Sequence, residues 1–79
     1  MNVKEKMYDL IVECERRNFR YTIVMYETMY VYIRGKNDDQ SYMRVSAREE
    51  DPDALYYVRD NGMIRHMELC DIVWEMETR

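Results

Sequence analysis

Arg20 to Arg34 reads RYTIVMYETMYVYIR. Val24, Tyr26, Met29, Tyr30, Val31, Tyr32 and Ile33 crowd β-branched, apolar and aromatic side chains into it, and the polar Glu27-Thr28 step between the two runs suits a tight connection. The stretch predicts a central β-hairpin. Alternation sends Tyr21, Ile23, Met25, Met29, Val31 and Ile33 to one face, and Arg20, Thr22, Val24, Tyr26, Tyr30, Tyr32 and Arg34 to the other. Both faces are apolar or aromatic, so each needs a cover or a partner.

The segment before the hairpin supplies one cover. Asn2 followed three residues later by Glu5 is a capping-box pattern. Val3, Met7, Leu10, Ile11 and Cys14 then line one stripe of a helix, with Glu5, Lys6, Asp9, Glu13 and Arg16 outside it. Arg16 and Arg17 meet the negative end of the helix dipole, and Asn18 can take the left-handed conformation that stops it. Phe19 is placed to fold back on Cys14. This helix is expected beneath the face carrying Ile23, Met25, Val31 and Ile33.

After the hairpin, the loop Gly35 to Gln40 leads to a third strand over Ser41 to Ala47. It adds Met43 and Val45 to the first face, and Tyr42 and Arg44 to the second. In Glu49 to Asp53, EEDPD, Asp51 reads as an N-cap and Pro52 as a first helical position, with Asn61-Gly62 as the stop. The expectation is a short helix over about 52–60, because it uses Asp51, Pro52 and Gly62 together. The competing reading takes Asn61-Gly62 as a type I′ turn between strands 55–60 and 63–69. A fourth strand over about 67–75 suits Ile72-Val73-Trp74, with a closing helix as the alternative. The resulting fold is one α+β domain over residues 1–79, in the order α-β-β-β-α-β, with the first helix packed on a three- or four-stranded antiparallel sheet.

At 79 residues the chain sits near the lower limit for a single hydrophobic core, so homo-oligomerisation is an open alternative. No apolar run approaches a membrane span, and a charged amphipathic segment stands where a signal peptide would, which points to the cytoplasm. Cys14 and Cys70 are then expected to be free, buried thiols. Net charge is −4, unevenly spread. Residues 1–37 carry seven Lys or Arg against five Asp or Glu, and residues 38–79 carry five against eleven. The acidic second half counts against direct nucleic-acid binding and suits a protein partner with a basic surface.

No catalytic set, metal site or cofactor is expected. His66, the one histidine, is near Glu68 and Cys70, but structural zinc normally takes four Cys or His ligands and the chain has three such residues. Gly35 and Gly62 are its only glycines, so no phosphate-cradling loop exists. Two binding surfaces remain. One is acidic: Asp38, Asp39, Glu49, Glu50, Asp51 and Asp53, which with Glu68, Asp71, Glu75 and Glu77 would mimic phosphates if they converged. The other is the aromatic face: Tyr26, Tyr30, Tyr32 and Tyr42 with Arg34 and Arg44, residue types enriched where interfaces concentrate their binding energy.

A short acidic chain with a leading helix, a three-stranded meander, an acidic segment and no catalytic set resembles the small inhibitors of phages and mobile elements, of the anti-CRISPR and anti-restriction type. The resemblance implies a stoichiometric, non-catalytic inhibitor or accessory protein. It would dock on the basic nucleic-acid-binding surface of a partner such as a CRISPR or restriction nuclease. The alternatives are a sheet-face binder of single-stranded nucleic acid and a homo-oligomer using the tyrosine-rich face.

Overall fold

The computed structural model describes residues 2–79. Helix α1, Val3–Arg16, starts where the Asn2 side chain accepts the Glu5 backbone N–H at 2.8 Å. It ends in a Schellman motif. Asn18 turns left-handed at φ 59°, its N–H bonds the Glu15 carbonyl and the Phe19 N–H bonds the Cys14 carbonyl at 2.9 Å. Phe19 is thereby buried at the base of the helix, as its position after the stop suggested.

Five strands follow: β1, Tyr21–Met25; β2, Met29–Arg34; β3, Tyr42–Ser46; β4, Leu55–Asp60; and β5, Met63–Glu68. They pair with their sequence neighbours in one antiparallel meander ordered β1-β2-β3-β4-β5, and α2, Leu69–Thr78, closes the chain. Val31 pairs with Val45 and Val45 with Val58, while Ile33 pairs with Met43. All five of these side chains are fully buried. Met7, Leu10 and Cys14 of α1 and Ile72, Val73 and Met76 of α2 complete the same cluster. Both helices therefore lie on one side of the sheet. Burial of a side chain such as Leu10 is worth about 2–3 kcal/mol.

The expected order α-β-β-β-α-β is corrected to α-β-β-β-β-β-α, and the sheet has five strands rather than three or four. The helix expected over 52–60 is strand β4, and Pro52 closes a turn through Leu55 N–H. Asn61 and Gly62 both have positive φ, 53° and 80°, and make the tight β4–β5 turn. Pairing on both sides lets Tyr56 and Val58 enter the core on a two-residue period, which outweighs the local helix-start signal. The strand expected over 67–75 ends at Glu68, and Ile72, Val73 and Met76 reach the core on the 3.6-residue spacing of α2. Ile23 and Met25 are not beneath α1: they are 44% and 63% exposed on the edge strand. Cys70 is exposed, not buried, whereas Cys14 is buried, with its thiol pushed up to about 12 by that burial and then by Glu15 and Glu13; both thiols are free.

Two polar contacts lock the ends of the sheet. Lys6, expected on the polar side of α1, is buried: its ammonium donates to the Pro52 carbonyl at 3.3 Å and to the Leu55 carbonyl, and the Tyr56 hydroxyl donates to the Lys6 carbonyl at 2.7 Å. At the other end, Arg79 forks onto Asp60 at 2.7 and 3.1 Å, and Arg65 bridges Asp60 and Glu75. Gly35 leaves room for this clamp, since a Cβ there would stand 2.7 Å from Arg79 Cβ.

The Arg79 hydrogen bonds and charge, then those of Arg65, hold the Asp60 carboxyl below its ordinary 3.8 against the opposing effect of burial. A depressed folded-state value stabilises the fold above pH 3.8, and the contribution is lost as pH falls through that lower value. Asp60→Asn is expected to cost about 2–3 kcal/mol in urea unfolding at pH 7 and to flatten the acid limb of the stability profile.

Candidate functional site

The residues that point away from the helices form an uncovered face. Thr22, Tyr32, Arg44, Arg59 and Ile64 stand in one row across the five strands, because each is the register partner of the next. Flanking rows pair Arg34 with Tyr42, Val24 with Tyr30, and Ser46 with Tyr57 and His66. The whole set follows from two-residue alternation once the opposite side is committed to the core.

Arginines stack on tyrosines across this face. The Arg44 guanidinium carbon is 4.5 Å from the Tyr30 ring centre, that of Arg34 is 5.6 Å from Tyr42, and that of Arg48 is 3.4 Å from Tyr57. Tyr32 and Tyr42 lie 6.0 Å apart, and His66 meets the Tyr57 ring edge-on at 5.6 Å. His66 Nδ1 is 3.1 Å from Asp51 Oδ1, which ties the β3–β4 loop to β5. Asp51 Oδ2 and Ser46 Oγ, both buried at this end, have no hydrogen-bond partner among the described residues.

Basic charge predominates at the centre of the face, with Glu68 on the same side at the end of β5 and Asp38 bordering its groove. Arg34, Arg44 and Arg59 form no ion pair with a carboxylate among the described residues; Arg34 instead donates to the Asp39 carbonyl at 2.6 Å. On β1 to β4 no acidic side chain points to this side, since Asp60 shares the core parity and joins Arg79. Beyond Arg44–Arg59, the last pair β3 makes with β4 at this end, the two strands separate. A groove opens there between Tyr32, Tyr42, Arg44, Arg59 and the Asn61–Met63 hairpin tip, with the Asp60–Arg79 clamp along it.

The aromatic candidates are thus brought together, with Tyr26 apart from them on the β1–β2 turn at 76% exposure. The acidic candidates do not form one surface. Asp38 and Asp39 sit in the β2–β3 loop, where Asp38 accepts the Gln40 N–H at 3.0 Å and Asp39 pairs with Arg20 at 3.1 Å. Glu49, Glu50, Asp51 and Asp53 occupy the β3–β4 loop at the opposite end of the strands, and the Asp51 side chain is only 7% exposed. Glu49 and Glu50 border a second groove with Glu27, and Glu68 closes β5 at the same end.

Tyr57, Arg59, Ile64 and His66 belong to the face although the sequence reading placed 52–60 in a helix. The signal for them was the Leu55–Val58 run ahead of Asn61-Gly62. His66 and Glu68 share a face of β5, but Cys70 does not join them, because α2 begins at Leu69. Glu68, Cys70 and Asp71 are close together but exposed; Cys70 Sγ donates to Glu68 at 3.6 Å. Desolvation, then Asp71 and Glu68, push that thiol above its ordinary 9.0. Among the described residues no helix is long and apolar enough to cross a membrane. Comparison with family models, curated proteins and solved structures finds no match to this chain.

A face with no cover tolerates change that the core does not. Tyr32→Thr is expected to shift the unfolding free energy by about 0.5 kcal/mol or less. Tyr56→Phe, which removes the hydroxyl's added hydrogen bond to the helical Lys6 carbonyl, should cost about 1 kcal/mol in the same urea titration.

Proposed function

We propose that this protein is a non-catalytic binding module that holds single-stranded nucleic acid on the open face of its sheet. The observation that carries the reading is the juxtaposition of Tyr30, Tyr32, Tyr42 and Tyr57 with Arg34, Arg44 and Arg59, three guanidinium groups free of carboxylate partners among the described residues. Bases stack on tyrosine whatever their sequence, and arginine meets both base faces and phosphates. An antiparallel sheet offers these groups as a flat platform, which a splayed strand can follow and a duplex cannot. The acidic second half weighs less than its total suggests. Apart from Glu68 at the far end of β5, its carboxylates are in end loops, in the Asp60 clamp or on α2, and at physiological salt a charge acts over about 8 Å.

A polarisation or mobility-shift measurement with fluorescent 12-mer RNA and DNA at 50 mM salt is the test. Micromolar binding is expected, weakened at least tenfold by Tyr32→Ala or by Arg44→Ala with Arg59→Ala, and declining as salt rises. No shift at 100 µM protein sinks the reading.

A second reading rests on a different surface. Glu27, Glu49, Glu50, Asp53 and Glu68 all belong to one end of the sheet, where the β1–β2 turn adjoins the β3–β4 loop. Spaced carboxylates of this kind suit a stoichiometric inhibitor seated on a basic groove of a nucleic-acid enzyme. Reversal of Glu49, Glu50 and Asp53 to lysine then abolishes capture of such an enzyme while far-UV circular dichroism stays unchanged. Retention of RNA binding by the same variant separates the two surfaces.

A further inference from the structure

The sheet has two edges, and they are built differently. β5 carries Arg65, His66 and Glu68 along its length, charges of the kind that discourage a neighbouring strand. β1 carries none from Tyr21 to Tyr26, and has no proline. Its Ile23, Met25 and Tyr26 are 44%, 63% and 76% exposed.

The backbone of β1 is equally open. The Arg34 N–H bonds the Arg20 carbonyl at 2.9 Å and the Tyr26 N–H bonds the Thr28 carbonyl at 3.3 Å, so the hydrogen-bonded pairs with β2 are the even-numbered ones. Antiparallel ladders alternate, and the N–H and C=O groups of Tyr21, Ile23 and Met25 are therefore directed off the sheet. These three residues are a self-complementary set. Antiparallel pairing of two copies about a two-fold axis at Ile23 places Ile23 opposite the partner's Ile23, and Tyr21 opposite the partner's Met25. Every outward backbone group finds a mate, giving six hydrogen bonds across the edge by the alternation rule.

Side chains and charges agree with the same register. Ile23 and Met25, on the helix side of β1, meet the partner's Ile23 and Tyr21, which covers apolar surface that α1 leaves bare. Arg20, which is half-exposed and pairs with Asp39 in its own chain, comes beside the partner's Tyr26-Glu27 turn at each end, so a second carboxylate meets each guanidinium. We infer that the protein forms a homodimer through β1, joining two five-stranded sheets into one ten-stranded sheet. The Tyr-Arg faces of both copies then lie on the same side and double the length of the binding platform. One strand pair buries less than the roughly 1,200 Å² of standard interfaces, so the dimer dissociates in the micromolar range.

Sedimentation equilibrium or light scattering from about 5 µM to 1 mM tests the state. The expected mass rises from 9.8 kDa toward twice that value with concentration. Ile23→Lys should weaken association at least tenfold, while Ile64→Lys on the other edge leaves it unchanged. Register is read by cysteine pairing in a Cys70→Ser background. At a two-fold axis the Ile23 Cα atoms stand about 5.5 Å apart, within disulfide reach, whereas the Met25 positions are separated by four residues, about 14 Å. Ile23→Cys is thus expected to oxidise to a linked dimer at least tenfold faster than Met25→Cys. A constant 9.8 kDa mass up to 1 mM overturns the inference, as does association lost with Ile64→Lys but kept with Ile23→Lys, or equal cross-linking of the two cysteine variants.

Discussion

Three valines side by side, Val31, Val45 and Val58, hold the three central strands in register, and the rest of the structure depends on that alignment. Each is fully buried against the helices. A slip of one residue in β3 would exchange Val45 for Arg44 and drive a guanidinium into the core. The core therefore fixes which residues face the other way. Tyr32, Arg44 and Arg59 share a row because their neighbours in sequence are the buried ones.

The arrangement of the helices follows from the same constraint. In a meander of consecutive hairpins, one face is lined by Ile33, Met43, Tyr56 and Met67 in addition to the valines. Both helices set their buried stripes on this face, so the tyrosine face is left open. The polar locks are adjusted to this layout. Lys6 reaches through the apolar layer to the loop carbonyls at one end, and Asp60 gathers Arg65 and Arg79 where β3 and β4 part at the other. The second lock also pairs the one carboxylate of β4, Asp60, with Arg79 and Arg65 where it borders the groove.

Sequence patterns are legible where the controlling interactions are short-range. The Asn2 cap, the stripe through Met7, Leu10 and Cys14 and the stop at Asn18 all involve residues a few positions apart, and the β1–β2 hairpin joins two runs across one short turn. Segment 52–60 is not legible locally because Asp51 and Pro52 imitate a helix start, while Val58 is held in a strand by Val45 on one side and Arg65 on the other, and Tyr56 by Met67. The acidic candidates illustrate the same limit: identity marked them as charged, but whether they converge depended on which end of the sheet each loop occupies.

By itself the sequence determined that the chain is a small α+β domain with a capped first helix and a hairpin whose two faces differ in kind, because cap geometry and two-residue alternation are properties of neighbouring residues. Only the tertiary structure decided that the face of Tyr30, Tyr32, Tyr42 and Tyr57 is uncovered and that Ile23 and Met25 lie bare on an edge. Exposure of a face or an edge is set by what packs against it, and those contacts join residues far apart in the chain.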